Sequence, residues 1–226
     1  MQRYSVLPNR EIVLLKSKPC FWGKCTFCDY IEDNSINLDQ INAINKDVLK
    51  NITGSKKSLE VINSGSCFEL PETTLQYIKN IVVEKNIKTL YLESHWIYKD
   101  KLNEMRDFFN IPIIFKIGVE TFDNEFRNTV LNKNAHFSDV TEVKMHFDSV
   151  CLMVGIVGQT KEMIKKDINL LISNFDYGTI NIFCENNTSI KKDPSIIEWF
   201  KQEYKYLESM PNIDVLYENT DFGVGD

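Results

Sequence analysis

Residues 11–30 read "EIVLLKSKPCFWGKCTFCDY". The run "EIVLLKS" is apolar and rich in β-formers, so it reads as a strand. It leads straight into a loop that carries Cys20, Cys25 and Cys28. The loop contains Gly23 and the aromatics Phe21, Trp22 and Phe27.

The same grammar repeats downstream. "NLDQINAINKDVLKNI" (37–52) predicts a helix with Leu38, Ile41, Ile44 and Val48 on one face, Asn37 as N-cap and Gln40 three residues later. "SLEVINS" (58–64) reads as a strand, and "PETTLQYIKNIVVEKN" (71–86) as a helix with Leu75, Ile78 and Val82 inward and Pro71 at its start. "TLYLESH" (89–95), "IPIIFKIGVE" (111–120), "SVCLMVGIV" (149–157), "YGTINIFCE" (177–185) and "IDVLYEN" (213–219) complete the strands. Helices are expected over 98–109 and 160–174, the latter with Ile164, Ile168 and Leu171 inward. A short helix is expected around 123–131, and another over 194–209 with Ile196, Phe200, Tyr204 and Leu207 in register.

Six strand–helix units followed by a strand imply an α/β fold with parallel strands, outer helices and right-handed crossovers. The near-continuous apolar strands fit burial on both faces. A complete eight-unit barrel takes about 250 residues, and this chain has 226. We therefore expect a partial (β/α)6 barrel plus a C-terminal strand and tail, with the doubly wound sheet as competitor. One domain is expected over 1–226, its core about 11–186, with 194–226 completing or capping it. Either arrangement puts a ligand site at the carboxyl ends of the strands, where the cysteine loop begins.

Composition narrows the function. Net charge is −6, from 26 basic and 32 acidic side chains, which does not suggest a broad nucleic-acid surface. Charged residues follow the first methionine at once, and no apolar run approaches the ~18 residues of a membrane span. These features predict a cytoplasmic protein with reduced thiols, where clustered cysteines mean metal or catalysis. Three chemistries fit three close thiols. Zinc would need a fourth ligand from His95, His136, His146 or Cys67. A two-iron cluster of plant-ferredoxin type matches the C-x4-C-x2-C spacing, with Cys67 as fourth ligand and electron carriage as the function. A four-iron cluster on three thiolates would leave one iron open to chelate a small molecule. Cys151, in an apolar strand, reads as a core thiol.

Taken with its neighbours, the loop resembles that of the radical S-adenosylmethionine (radical SAM) enzymes. These carry three cysteines after the first strand of a partial barrel, usually spaced C-x3-C-x2-C, with an aromatic such as Phe27 before the last. The first gap here is one residue longer. "NSGSCF" (63–68) looks like the family's small-residue turn, so Ser64, Gly65 and Ser66 would meet the methionine amino group. "IGVETFDNEFRNTVLNKN" (117–134) resembles its fourth-strand segment, which would assign Glu120 and Arg127 to cosubstrate polar groups. "VGIVGQT" (154–160) resembles the adenine-packing segment, with Ile156 and Gly158, and "LESH" brings Glu93 and His95 to the same end.

The resemblance implies that Cys20, Cys25 and Cys28 bind a [4Fe–4S] cluster. It implies S-adenosylmethionine as cosubstrate, flavodoxin or ferredoxin as reductant, and a 5′-deoxyadenosyl radical that takes hydrogen from a small-molecule substrate. Within the family the segments are most similar to the enzymes acting on 7-deazaguanines, queuine lyases among them. That likeness implies queuine as substrate and an anaerobic setting. Candidates for contacting such a base are His95, Trp96, Glu185, Glu218 and Asp221. No membrane partner and no nucleic acid are expected.

Overall fold

The computed structural model describes residues 2–218. They form two compact units, one of 2–23 and 30–115, the other of 24–29 and 116–218.

The first unit begins with a hairpin: β1 (Tyr4–Val6) runs antiparallel to β2 (Glu11–Leu15), pairing Tyr4 with Val13. β3 (Ser58–Asn63) then lies parallel to β2, Leu15 opposite Asn63, and β4 (Thr89–Glu93) parallel to β3. All five β2 residues are buried, as the continuous apolar run requires. Helices α1 (Leu38–Leu49), α2 (Glu72–Glu84) and α3 (Leu102–Phe109) follow β2, β3 and β4. Asn37 caps α1 by accepting the Gln40 N–H. The expected inward face of α1 shifts, however: Leu38 is exposed, and Asn45 is fully buried between Ile41 and Val48. The Asn45 amide accepts from the Lys16 N–H at 2.8 Å and donates to the Lys16 carbonyl at 2.8 Å. It thus satisfies the backbone where β2 stops pairing.

β5 (Ile113–Glu120) passes from one unit to the other at residue 115. In the second unit, β6 (Ser149–Val154), β7 (Tyr177–Ile182) and β8 (Ile213–Leu216) follow in parallel. Helices α4 (Val140–Lys144), α5 (Lys161–Asn174) and α6 (Pro194–Glu203) lie between them in sequence. The inward face expected for α5 is present, with Ile164, Ile168 and Leu171 buried. Strand order follows the chain from β1 to β8 without reversal. A doubly wound sheet needs a switch point where the order turns back, so the fold is the partial-barrel type. No described helix is long and apolar enough to cross a membrane.

Candidate functional site

In the first unit, the cysteine loop leaves β2 and is held against the turn that ends β3. Ser17 donates its N–H to Ser64 Oγ at 3.2 Å, and the two hydroxyls lie 3.1 Å apart, both residues fully buried. A Cβ on Gly65 would stand 3.6 Å from the Cys20 Cα and 3.0 Å from Glu69 Oε2. The first is ordinary contact, so turn and loop are packed together, and the second is tight enough that the Glu69 carboxylate would have to give by a few tenths of an ångström. Ser66 donates its N–H to Glu69 Oε2, and its hydroxyl lies 3.2 Å from Ser94 Oγ. The turn of Ser64, Gly65 and Ser66 is therefore gathered beside the start of the cysteine loop.

Two residues missed by the sequence reading stand in this turn. Asn63 is 2% exposed; its Nδ2 donates to the Ser66 carbonyl at 2.9 Å, while its Oδ1 has no hydrogen-bond partner among the described residues. A buried acceptor without a donor is expensive unless a ligand supplies one. Glu69 is 5% exposed and accepts from Tyr98 Oη at 2.8 Å and from the Phe21 N–H at 3.3 Å. Burial pushes its carboxyl above the ordinary value, against the opposing effect of these donors. The spacing Ser66-x-x-Glu69 is the signal that announces it.

The neighbouring candidates divide. His95 caps the 3-10 turn Trp96–Lys101 by accepting the Ile97 N–H on Nδ1 at 3.2 Å. Trp96 is buried, with the Lys99 ammonium 5.5 Å from its ring centroid. Glu93 is half-buried at the end of β4. Cys67, the expected fourth ligand of a ferredoxin site, is fully buried, and burial pushes its thiol far up.

In the second unit, Cys25 and Cys28 are half-buried and pack against the cluster of Phe27, Phe126, Leu131, Ile156 and Phe183. Thr26 donates its N–H to the Leu131 carbonyl at 3.1 Å and its hydroxyl to the Val130 carbonyl at 2.8 Å. Asn186 Nδ2 donates to the Phe27 carbonyl at 2.8 Å. Phe27 and Ile156, predicted to share an adenine site, thus belong to one cluster. Gly158, at φ +96, sits over Phe126, where a Cβ would stand 3.3 Å from the ring.

Glu120 is 5% exposed and ion-paired with Lys133 at 2.6 Å. It adopts a left-handed φ of +63 where the β5–β6 register shifts, between Gly118 and Glu120. Such a conformation in a non-glycine residue stores strain and is concentrated at functional sites. A Cβ on Gly118 would fall 2.5 Å from Glu120 Oε1 and 2.9 Å from Lys133 Nζ, so only glycine leaves room for the pair.

Lys133 is the principal residue that the sequence reading overlooked. Its Nζ lies 5.4 Å from the Phe27 ring centroid. Burial would lower its affinity for the proton, but Glu120 and the sulfurs of Cys25 and Cys28 overcome that and hold the ammonium above its ordinary value. The available signal was "NKN": Asn132 and Asn134, both at positive φ, turn the chain on either side of it.

Arg127, assigned by the resemblance to cosubstrate polar groups, directs its donors to the protein in this structure. It lies in the π-helical turn Phe126–Val130 and is fully buried. Its Nε, Nη1 and Nη2 donate to the Ala135 carbonyl at 2.8 Å, the Thr121 carbonyl at 2.8 Å and Asn124 Oδ1 at 3.1 Å. The guanidinium also stacks 3.6 Å from the Phe137 centroid. Burial lowers its pKa to about 10, still charged at neutrality, and the residue braces the 121–135 loop. Glu185 is exposed and accepts the Lys192 N–H at 3.3 Å. Glu218 is exposed, and Asp221 lies outside the described residues. Cys151 is buried in β6, as read from the sequence.

Comparison with known proteins adds to this geometry. No family model matches the chain. It is 56% identical to a queuine lyase from Clostridium spiroforme, solved bound to SAM and queuine; the match covers 100% of both chains with a TM-score of 0.97. A radical SAM methyltransferase from Sphaerobacter thermophilus is 12% identical, with a TM-score of 0.67 over 97% of this chain and 70% of that one. At that identity it supports the fold alone. An uncharacterised protein of Methanocaldococcus jannaschii is 28% identical over 138 residues, 54% of this chain. The chain spans 38% of the length of that curated relative.

Proposed function

The chain belongs to the radical SAM enzymes, in the family of the queuine lyase it matches, and on that premise we propose that it is itself a queuine lyase. The observation that carries the reading is identity of 56% along the whole of both chains. The reaction would release the 7-aminomethyl-7-deazaguanine base from queuine.

The residues present fit the cofactor. All six cysteines stand outside disulfides, and Cys20, Cys25 and Cys28 are each half-buried. Soft thiolates of this kind suit iron–sulfur clusters. Gly23, at φ +58, turns the loop between the first two. Among the described residues no three His, Cys, Asp or Glu side chains already form a metal-binding group. Cys20, Cys25 and Cys28 would hold a [4Fe–4S] cluster. When bound, it supplies the electron that cleaves S-adenosylmethionine to a 5′-deoxyadenosyl radical for hydrogen abstraction from queuine.

The protein's own residues would bind and orient. The carbonyls of the 64–66 turn and Asn63 Oδ1, an acceptor with no donor, suit the methionine ammonium. The apolar side chains of Phe27 and Ile156 suit adenine and keep water from the radical. Lys133, held charged by Glu120, is a cation beside Phe27 and suits an anionic group of the cosubstrate. His95, Trp96 and Glu93 are our candidates for the base and its diol, and a flavodoxin or ferredoxin would be the electron donor.

The test uses chain reconstituted with iron and sulfide under anaerobic conditions, given dithionite, S-adenosylmethionine and queuine. We expect 5′-deoxyadenosine together with loss of queuine and appearance of the aminomethyl base by mass spectrometry. Absence of 5′-deoxyadenosine would defeat the radical reading, and 5′-deoxyadenosine beside intact queuine would defeat the substrate.

A further inference from the structure

We infer that Glu69 is a positioning residue that brackets Cys20 and fixes the cysteine loop against the 64–66 turn; the inference rests on the radical-enzyme reading above. Residues 16–29 contain no helix or strand, so their order must come from elsewhere. Two backbone donors flanking Cys20 end on the same residue. Lys18 donates its N–H to the Glu69 carbonyl at 3.2 Å, and Phe21 donates its N–H to Glu69 Oε1 at 3.3 Å. The other carboxylate oxygen takes the Ser66 N–H from the turn. Tyr98 completes the set through its hydroxyl at 2.8 Å and stacks on Phe68 with centroids 4.8 Å apart. Phe21, 64% exposed, meets the Tyr98 ring edge-on at 6.4 Å.

One buried carboxylate therefore joins the loop, the turn and the residues after β4. Burying it costs solvation, which an apolar residue would avoid. What the carboxylate adds is two acceptor oxygens facing opposite segments. A glutamine at 69 keeps the size but has a single acceptor oxygen. Its NH2 must then face either the Ser66 N–H or the Phe21 and Tyr98 donors, so one side lets go.

The test compares wild type, Glu69→Gln and Tyr98→Phe as reconstituted full chains. It reads amide hydrogen exchange of peptide 17–23, KM for S-adenosylmethionine against kcat for 5′-deoxyadenosine, and thermal melting. For Glu69→Gln we expect exchange of 17–23 to rise about tenfold, the equivalent of one lost hydrogen bond. KM should rise by a similar factor with kcat falling less, while exchange in β6 stays unchanged. Tyr98→Phe should show the same pattern at about two- to threefold, because Phe21 still holds its oxygen. A folded Glu69→Gln with wild-type exchange in 17–23 and wild-type KM overturns the inference. Should that variant not fold, unchanged 17–23 exchange in Tyr98→Phe overturns it instead. Exchange needs no turnover, so a wild type that makes no 5′-deoxyadenosine would end the functional proposal while the bracketing of Cys20 is still decided.

Discussion

Glu69 and Glu120 are both 5% exposed, yet they are kept in two different ways. Glu69 is surrounded by neutral donors: two backbone N–H groups and a tyrosine hydroxyl. Glu120 is matched by a full charge on Lys133, at the cost of a left-handed backbone and a glycine cleared of any side chain. The first arrangement ties loops together by bringing uncharged donors to one buried carboxylate. The second keeps a cation beside two of the cysteines. Neutral hydrogen bonds fail one at a time, whereas an ion pair in the interior fails all at once.

The sharpest way to break the contrast is Lys133→Met, which strands the Glu120 carboxylate. A loss of about 3–5 kcal/mol is expected, a fall in Tm of about 6–20 °C for a chain of this size. A drop no greater than that of Tyr98→Phe would show the two sites to be alike. Next comes pH. Asp167 on α5 accepts the Phe122 N–H at 2.8 Å, and burial raises it from 3.8 to about 6. A carboxyl raised in the folded state contributes its stability fully below pH 3.8 and loses it as pH rises through 6. Urea unfolding should show this contribution falling by about 3 kcal/mol across that window, and Asp167→Asn should flatten the slope.

Gly118→Ala sharpens the comparison from the backbone side. The added Cβ collides with both partners of the ion pair, and a cost of about 1–3 kcal/mol is expected by calorimetry. The first unit's turn should be untouched by this change. The smallest effect belongs to Tyr98→Phe, which removes one neutral donor from Glu69 and should cost about 1 kcal/mol in denaturant melts.

Much of this was readable in advance. Strand positions followed from apolar runs, and Asn37 caps α1 by accepting a backbone N–H, as short polar residues do before helices. The edge strand β1 escaped notice because three residues with little burial carry no periodic signal. α4, five residues long, is equally short on pattern. Asn45 could not be foreseen inside α1, since its burial depends on the unpaired Lys16 backbone brought to it by β2.

The sequence by itself determined the alternating strands and helices, the cysteine loop after the apolar run 11–17 and the small-residue turn after the run 58–64. Each is local, written in spacing, capping and glycine content. Only the tertiary structure decided that Arg127 turns inward onto three loop acceptors, that Glu69 gathers donors from three segments, and that Lys133 answers Glu120 from thirteen residues away. The reason is desolvation. A charged side chain leaves water only where the fold has brought its partners together, and spacing along the sequence does not show which way the backbone turns to do so.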